Sequence, residues 1–158
     1  MPTNGHPTTP AESVSRCTVP QSSPMVWVDF VDETHPSVIE LLEWISTLTP
    51  FARTFVLGQI DALEELASEG GIVDEGESRL VPIRVDPDMY ELRWSLLSKK
   101  IRQYHGEPRH RPDLLVRVHH HIKFLADDDE LTQRMQDGEI DHAQDRFRRP
   151  GTEQRADE

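Results

Sequence analysis

The chain has 158 residues, of which 35% are hydrophobic, and a formal net charge of −12. This length supports one domain of ordinary size but not two independent cores. The acidic balance argues against a protein that coats DNA without sequence preference, because such proteins need net positive charge to release counterions.

The sequence shows no sign of secretion or membrane insertion. Its single cysteine, Cys17, cannot form an internal disulfide, which fits a reducing compartment. The first residues lack the apolar core of a signal peptide, and no run approaches the roughly 20 apolar residues of a membrane helix. We therefore expect a soluble, cytoplasmic protein that does not enter a membrane.

The beginning of the chain differs in composition from the rest. Residues 1–24 contain five of the twelve prolines together with many Ser and Thr, so we predict that they are disordered. Met25 opens the first strand-like run and is the expected start of the fold, as well as a candidate translation start. We assign residues 25–148 to one domain and residues 149–158 to a polar tail.

Two helices are predicted after this first strand. Thr34 and Pro36 suit the cap and first turn of one helix, and Thr49 and Pro50 suit the start of another. The second helix should stop at Gly70-Gly71. The short linkage between the helices predicts a helical hairpin.

Strand-like runs follow, and they predict an antiparallel meander. The runs are Leu80 to Val85, Met89 to Trp94, Lys99 to His105 and Leu114 to Lys123. Asp127 to Glu130 suit the first turn of a further helix, and Asp137-Gly138 is expected to divide it from a last helix that ends near Phe147.

Charge is distributed unevenly along the chain. Residues 79–123 have a net charge of +5 and contain five of the eight histidines, whereas the remainder has a net charge of −17. Any contact with nucleic acid is therefore expected to be local.

The alternation of side chains along a strand predicts one apolar and one ionic face in the last run. The expected ionic residues there are Arg117, His119, His121 and Lys123, while His120 should face the core. In the neighbouring runs, Arg93 is predicted to lie on the same face as Glu91, and Arg102 on the same face as Tyr104. We expect Arg93, Arg102, His119, His121 and Lys123 to converge if the strands are neighbours.

Such a cluster suits RNA cleavage without a metal. The ribose 2′-oxygen must lose a proton as it attacks phosphorus, the phosphoryl oxygens must be stabilised, and the leaving 5′-oxygen must be protonated. Histidine exchanges protons near neutral pH, and arginine forks suit a charged phosphoryl group. Tyr104 is a candidate for stacking an unpaired base, with packing in the sheet core as the equal alternative.

Several motifs in this order resemble a known family. They are Tyr90-Glu-Leu-Arg-Trp94, Lys100-Ile-Arg-Gln-Tyr104, an apolar strand ending in His121-Ile-Lys123, and a last helix with Ala143 and Arg146. Together they resemble the RelE/HigB-like toxins of type II toxin-antitoxin systems, particularly the phage-derived branch. The resemblance covers roughly residues 26–148.

The resemblance implies an α+β fold with two N-terminal helices packed on one side of a small twisted antiparallel sheet, followed by one or more C-terminal helices. It also implies an endoribonuclease that cleaves mRNA on the ribosome, requires no cofactor and is neutralised by a helix-turn-helix antitoxin. Arg93, Arg102 and Lys123 would be the functional basic residues, with His121 a candidate base. We add Tyr104, Arg117 and His119 as candidate RNA contacts.

Two alternatives remain open. His119 and His121 project to the same side and suit zinc, but a third ligand is required and the nearest acidic residues belong to a helix start, so we assign no metal site. The alternative function is a diverged, non-catalytic RelE-like fold of phage or mobile-element origin that binds protein or RNA. The same basic face would serve either function.

Overall fold

The computed structural model describes residues 14–30, 39–73, 79–83, 85–122 and 128–149. A short 3-10 helix, Arg16–Thr18, comes first. The other elements are β1 (Val26–Asp29), α1 (Ile39–Ser46), α2 (Pro50–Ser68), β2 (Leu80–Pro82), β3 (Met89–Leu96), β4 (Lys99–Gly106), β5 (Leu114–Ile122) and α3 (Asp129–Arg148). No helix in these ranges is long and apolar enough to cross a membrane.

The strands form one five-stranded sheet in the order β1-β5-β4-β3-β2. The expected α+β class is confirmed, but the sheet is mixed, because β1 runs parallel to β5 while the other pairs are antiparallel. Helices α1 and α2 follow β1 in the chain, as the residue patterns predict, so the order implied by the resemblance, with both helices at the N-terminus, is wrong. The long connection through both helices allows β1 to reach the far edge of the meander, and short-range patterns do not reveal which distant strand it joins.

Helices cover both faces of the sheet, not one face as expected. One core lies between the sheet and the α1–α2 pair and includes Leu63, Leu92 and Leu115. The other lies beneath α3 and includes Val116 and Phe147. Both faces of β5 are therefore buried.

The limits of α2 follow its sequence signals, as predicted. Thr49 caps the helix by accepting a hydrogen bond from the Ala52 amide, and Pro50 is its first residue. The prediction of two helices separated at Asp137-Gly138 is wrong, because α3 continues through both residues. Gly138 has no neighbouring atom within 4 Å of the position of a Cβ, so it weakens the helix by about 1 kcal/mol without forcing a break. The expected helix start at Thr34 and Pro36 lies outside the described residues.

Residues 14–24 pack against the fold, so the prediction that they are disordered is wrong for this part. Cys17 is fully buried in the α1–α2 core. Gly70, with a φ of 72°, lies so close to this segment that a Cβ would be 1.8 Å from the Val19 carbonyl oxygen. The fold therefore begins before Met25. Residues 1–13 and 150–158 lie outside the described ranges.

Glu107 holds this N-terminal segment in place. Its carboxylate accepts hydrogen bonds from the Ser15 hydroxyl at 2.5 Å and the Arg16 amide at 2.9 Å, and it lies 2.9 Å from His105 Nε2. Burial alone would raise the pKa of Glu107, but these partners outweigh it and lower the pKa. Burial also raises the pKa of the adjacent Cys17 thiol, which keeps it protonated. The composition of the N-terminal segment does not predict this anchoring, because its partner, Glu107, lies about 90 residues later in the chain.

The reactivity of Cys17 should report this docking. Glu107→Gln removes a charge-assisted hydrogen-bond acceptor worth about 1.5–3 kcal/mol, so labelling of Cys17 by a thiol reagent under native conditions should accelerate at least tenfold. Ser15→Ala should also accelerate labelling, although it leaves the charge beside the thiol unchanged. Asp113→Asn, at an exposed carboxylate of the β4–β5 loop, is the control. Equal labelling rates in all four proteins would contradict the anchoring role.

The depressed pKa of Glu107 also predicts a pH dependence of stability. A carboxyl group whose pKa is lower in the folded state stabilises the fold above its unfolded pKa of about 4.3, and this contribution is lost as the pH falls through the folded value. The difference in unfolding free energy between wild type and Glu107→Gln should therefore be largest near pH 7 and decrease below about pH 4. Urea titrations at several pH values measure it, and a difference that is constant from pH 7 to pH 3 would refute the assignment.

Candidate active site on the sheet beneath α3

The strand register brings three predicted site residues together. Arg93 on β3 pairs with Arg102 on β4, which in turn pairs with His121 on β5. Of the five residues expected to converge, these three are therefore register partners on adjacent strands. A two-residue turn, Leu97-Ser98, fixes the β3–β4 register, and both of its residues have positive φ, at 50° and 64°.

One carboxylate, that of Glu91, contacts both arginines of this row. The Oε1 atom of Glu91 lies 3.1 Å from Arg93 Nε and 2.9 Å from Arg102 Nε. Arg102 and Glu91 are buried, whereas a third of the Arg93 side chain is exposed. Burial lowers the pKa of Arg102, and the charge of Glu91 opposes that shift. Arg93 is therefore the one that can contact a ligand.

A second row lies beside the first on the same face. It runs from Glu91 through Tyr104 to His119. The Tyr104 ring stacks on His119 and His121, with centroid distances of 6.1 and 5.5 Å. Burial, followed by the charges of Glu91 and Glu139, raises the pKa of Tyr104 and keeps its hydroxyl protonated.

Helix α3 adds two side chains to the histidines of β5. Nε2 of His119 contacts the carboxylate of Glu139. The His142 and His119 rings pack in an edge-to-face arrangement, with 4.9 Å between their centroids. The hydrogen bond from His119 lowers the pKa of Glu139. Neither α3 residue was among the predicted site residues, although the spacing Glu139-x-x-His142 places both on one face of a helix.

Arg117 does not share the face of His119 and His121, so that prediction is wrong. Between Tyr104 and His105, β4 advances by one residue while β5 advances by two, and Val118 has no counterpart on β4. This bulge interrupts the period-2 alternation. Arg117 consequently points to the opposite face, where it pairs with Glu64 at 2.8 Å and Asp29 at 3.2 Å.

Burial excludes two of the predicted RNA contacts in this conformation. Tyr104 is fully buried and His119 is 2% exposed, so neither presents a surface to a splayed base. Tyr104 belongs to the core beneath α3, as the alternative interpretation had it. The predicted burial of His120 is confirmed, with its Nε2 atom 2.9 Å from Gln103 Oε1. Lys123 lies outside the described residues.

A cleft of about 620 Å³ gives access to this face at one side. It lies between α3 and the β2–β3 edge, with Arg93 and Glu91 on the sheet wall. Asp137 and Asp141 project from the helix wall. Among the residues that the structure describes, the cleft lining therefore combines one accessible cation with three carboxylates.

Two groups of side chains in the described ranges have the composition of metal ligands. One consists of His119, His121 and Glu139, and the other of Cys17, His105 and Glu107. The second group is fully enclosed, and its carboxylate already accepts hydrogen bonds from the N-terminal segment. Only the first group has a member, Glu139, with a partly exposed side chain.

The carboxylate that Glu91 shares between Arg93 and Arg102 should contribute to the free energy of unfolding. Glu91→Gln leaves two guanidinium groups without their anion, and loss of one partner of a buried ion pair costs about 3–5 kcal/mol. A second change, Arg102→Met, removes the buried cation and should restore much of the lost stability. Urea unfolding of the single and double variants measures this coupling. Additive losses in the double variant would mean that Glu91 does not act through Arg102.

Comparison with known proteins does not assign the chain to a family. No protein-family model, curated protein or solved structure matches it. The side chains beneath α3 and along its cleft are therefore the basis for a functional proposal.

Proposed function

We propose that the protein is a metal-independent endoribonuclease that cleaves ribosome-bound mRNA and acts as the toxin of a type II toxin-antitoxin pair. The observation that carries this proposal is the row of Arg93, Arg102 and His121 across three adjacent strands, open to a cleft at Arg93. The resemblance of the motifs to RelE/HigB-like toxins supports it and implies a helix-turn-helix antitoxin as the partner.

The three residues have different roles in this proposal. Arg93 donates hydrogen bonds to the phosphoryl oxygens, since its side chain is the accessible one. Arg102 is a positioning residue, because it is buried and contacts the carboxylate that holds Arg93. His121 accepts the proton of the 2′-hydroxyl as the 2′-oxygen bonds to phosphorus. Lys123 follows two positions later in the sequence and is the candidate donor of a proton to the leaving oxygen.

The chemistry determines the ends of the products. Bond formation between the 2′-oxygen and phosphorus displaces the 5′-oxygen of the next nucleotide. The upstream fragment then ends in a 2′,3′-cyclic phosphate, and the downstream fragment begins with a 5′-hydroxyl. DNA cannot react in this way because it lacks the 2′-hydroxyl.

The second candidate is a non-catalytic module that binds a protein or RNA through the same fold. The specific observation in its favour is the cover that α3 provides, beneath which His121 is 7% and Arg102 6% exposed. The carboxylates of Asp137 and Asp141 also line the cleft and repel phosphates. A basic protein segment would suit such a cleft better than RNA.

Mapping of RNA ends after induced expression separates the two candidates. For the wild type, we expect growth arrest and new mRNA ends with a 5′-hydroxyl, which enter a ligation library only after phosphorylation by a kinase. Arg93→Ala should reduce cleavage about 10²–10³-fold, because it removes a donor to the developing charge. His121→Ala should reduce it about 10²–10⁴-fold, through the loss of proton transfer.

Arg109→Ala is the matched control, because the Arg109 side chain is 74% exposed in the β4–β5 loop and does not line the cleft. It should cleave like the wild type. Circular dichroism must show that each variant is folded. A folded wild type that leaves transcripts unchanged, in the presence of ribosomes, would replace the nuclease proposal with the binding module.

A further inference from the structure

The donor atoms of His119, His121 and Glu139 meet between β5 and α3. One ligating atom from each side chain lies within 4.8 Å of the other two. Both histidines are buried, while about a third of the Glu139 side chain is exposed. The group is therefore enclosed on the sheet side and accessible from the helix side.

The backbone arranges these donors through two same-side spacings. His119 and His121 are two residues apart on a strand, beyond the bulge at Val118, and so point to the same face. Glu139 and His142 are three residues apart on α3 and face β5 from above. The three donors and the neighbouring His142 thus come from two rigid elements, which hold ligands in a more fixed geometry than loops do.

The three side chains offer the donor types of a known class of metal site. Zinc binds imidazole nitrogens and carboxylate oxygens in tetrahedral geometry. Two histidines and one carboxylate are a donor set that zinc accepts, with a fourth position available.

Tyr104 fixes the orientation of the two strand histidines. Its ring lies nearly parallel to both, at interplanar angles of 8° to His119 and 10° to His121. Its buried hydroxyl has no hydrogen-bond partner among the described residues. Such packing limits the rotation of the imidazoles. Histidine rings that are held in one orientation bind a metal ion more tightly than rings that rotate freely.

We propose that His119, His121 and Glu139 form a binding site for a divalent transition-metal cation, Zn²⁺ in the first instance, with the fourth position open to water or to the neighbouring His142. The site overlaps the row of Arg93, Arg102 and His121 at His121 and includes neither arginine. Binding of the cation and the proposed cleavage are therefore mutually exclusive at His121, because a metal-bound nitrogen cannot accept the 2′-proton. This consequence for activity rests on the proposed function, whereas the site itself does not.

The test is titration of the full-length, chelator-treated protein with Zn²⁺ by calorimetry and with Co²⁺ by visible absorption. The wild type should bind one equivalent of either ion, and Co²⁺ should give the intense bands of a four-coordinate site with nitrogen and oxygen ligands. Glu139→Gln and His119→Gln should each weaken Zn²⁺ binding by at least 10–100-fold, the usual loss for even an indirect ligand contact.

His110→Gln is the matched control, since His110 is exposed in the β4–β5 loop, and it should bind as the wild type does. His142→Gln tests the fourth position and should reduce the affinity while leaving one equivalent bound. If a ligand variant fails to fold, the Co²⁺ spectrum of the wild type still decides, because six-coordinate or absent bands would overturn the proposal. Wild-type binding that Glu139→Gln leaves unchanged would overturn it as well.

RNA cleavage with and without Zn²⁺ then separates the two proposals. A protein that binds Zn²⁺ but cleaves no RNA in the metal-free form contradicts the nuclease proposal alone. A protein that cleaves RNA but binds no Zn²⁺ contradicts the metal site alone. Stoichiometric inhibition of cleavage by Zn²⁺, lost in Glu139→Gln, is the result expected if both are correct.

Discussion

The extra residue at Val118 decides which side chains meet in this protein. Without it, Arg117 would lie on the same face as His119 and His121, beneath α3. With it, Arg117 pairs with Glu64 and Asp29 on the opposite face, and the histidines face Glu139. A single unpaired position on β5 thus separates a structural ion-pair network from the candidate functional cluster.

The basic residues concentrated in the strands form ion pairs with acidic residues from other parts of the chain. The basic residues of the strands pair with acids of other elements: Arg117 with Glu64 of α2, and His119 with Glu139 of α3. Where the pairs are buried, the low dielectric makes each partner necessary, since removal of one leaves an uncompensated charge. Arg93 differs from these because its side chain reaches the cleft, and this accessibility makes it the centre of the nuclease proposal.

His121 connects the two proposed activities. It stands in line with Arg93 and Arg102 across the sheet, and it also lies with His119 and Glu139 between β5 and α3. An imidazole nitrogen can transfer a proton or bind a metal ion, but not both at once. This double position would give a metal ion direct control over a proton-transfer step without any movement of the backbone.

The sequence by itself determined most of the elements, because their signals are local. Thr49-Pro50 and Gly70-Gly71 delimit α2, and alternating side chains delimit β3 to β5 to within about two residues. It also predicted the row of Arg93, Arg102 and His121, which follows once three consecutive strands form a meander. Only the tertiary structure decided the parallel pairing of β1, the bulge at Val118, the docking of residues 14–24 and the approach of Glu139 to His119. Each of these depends on contacts between residues far apart in the chain, whose energies no local pattern records.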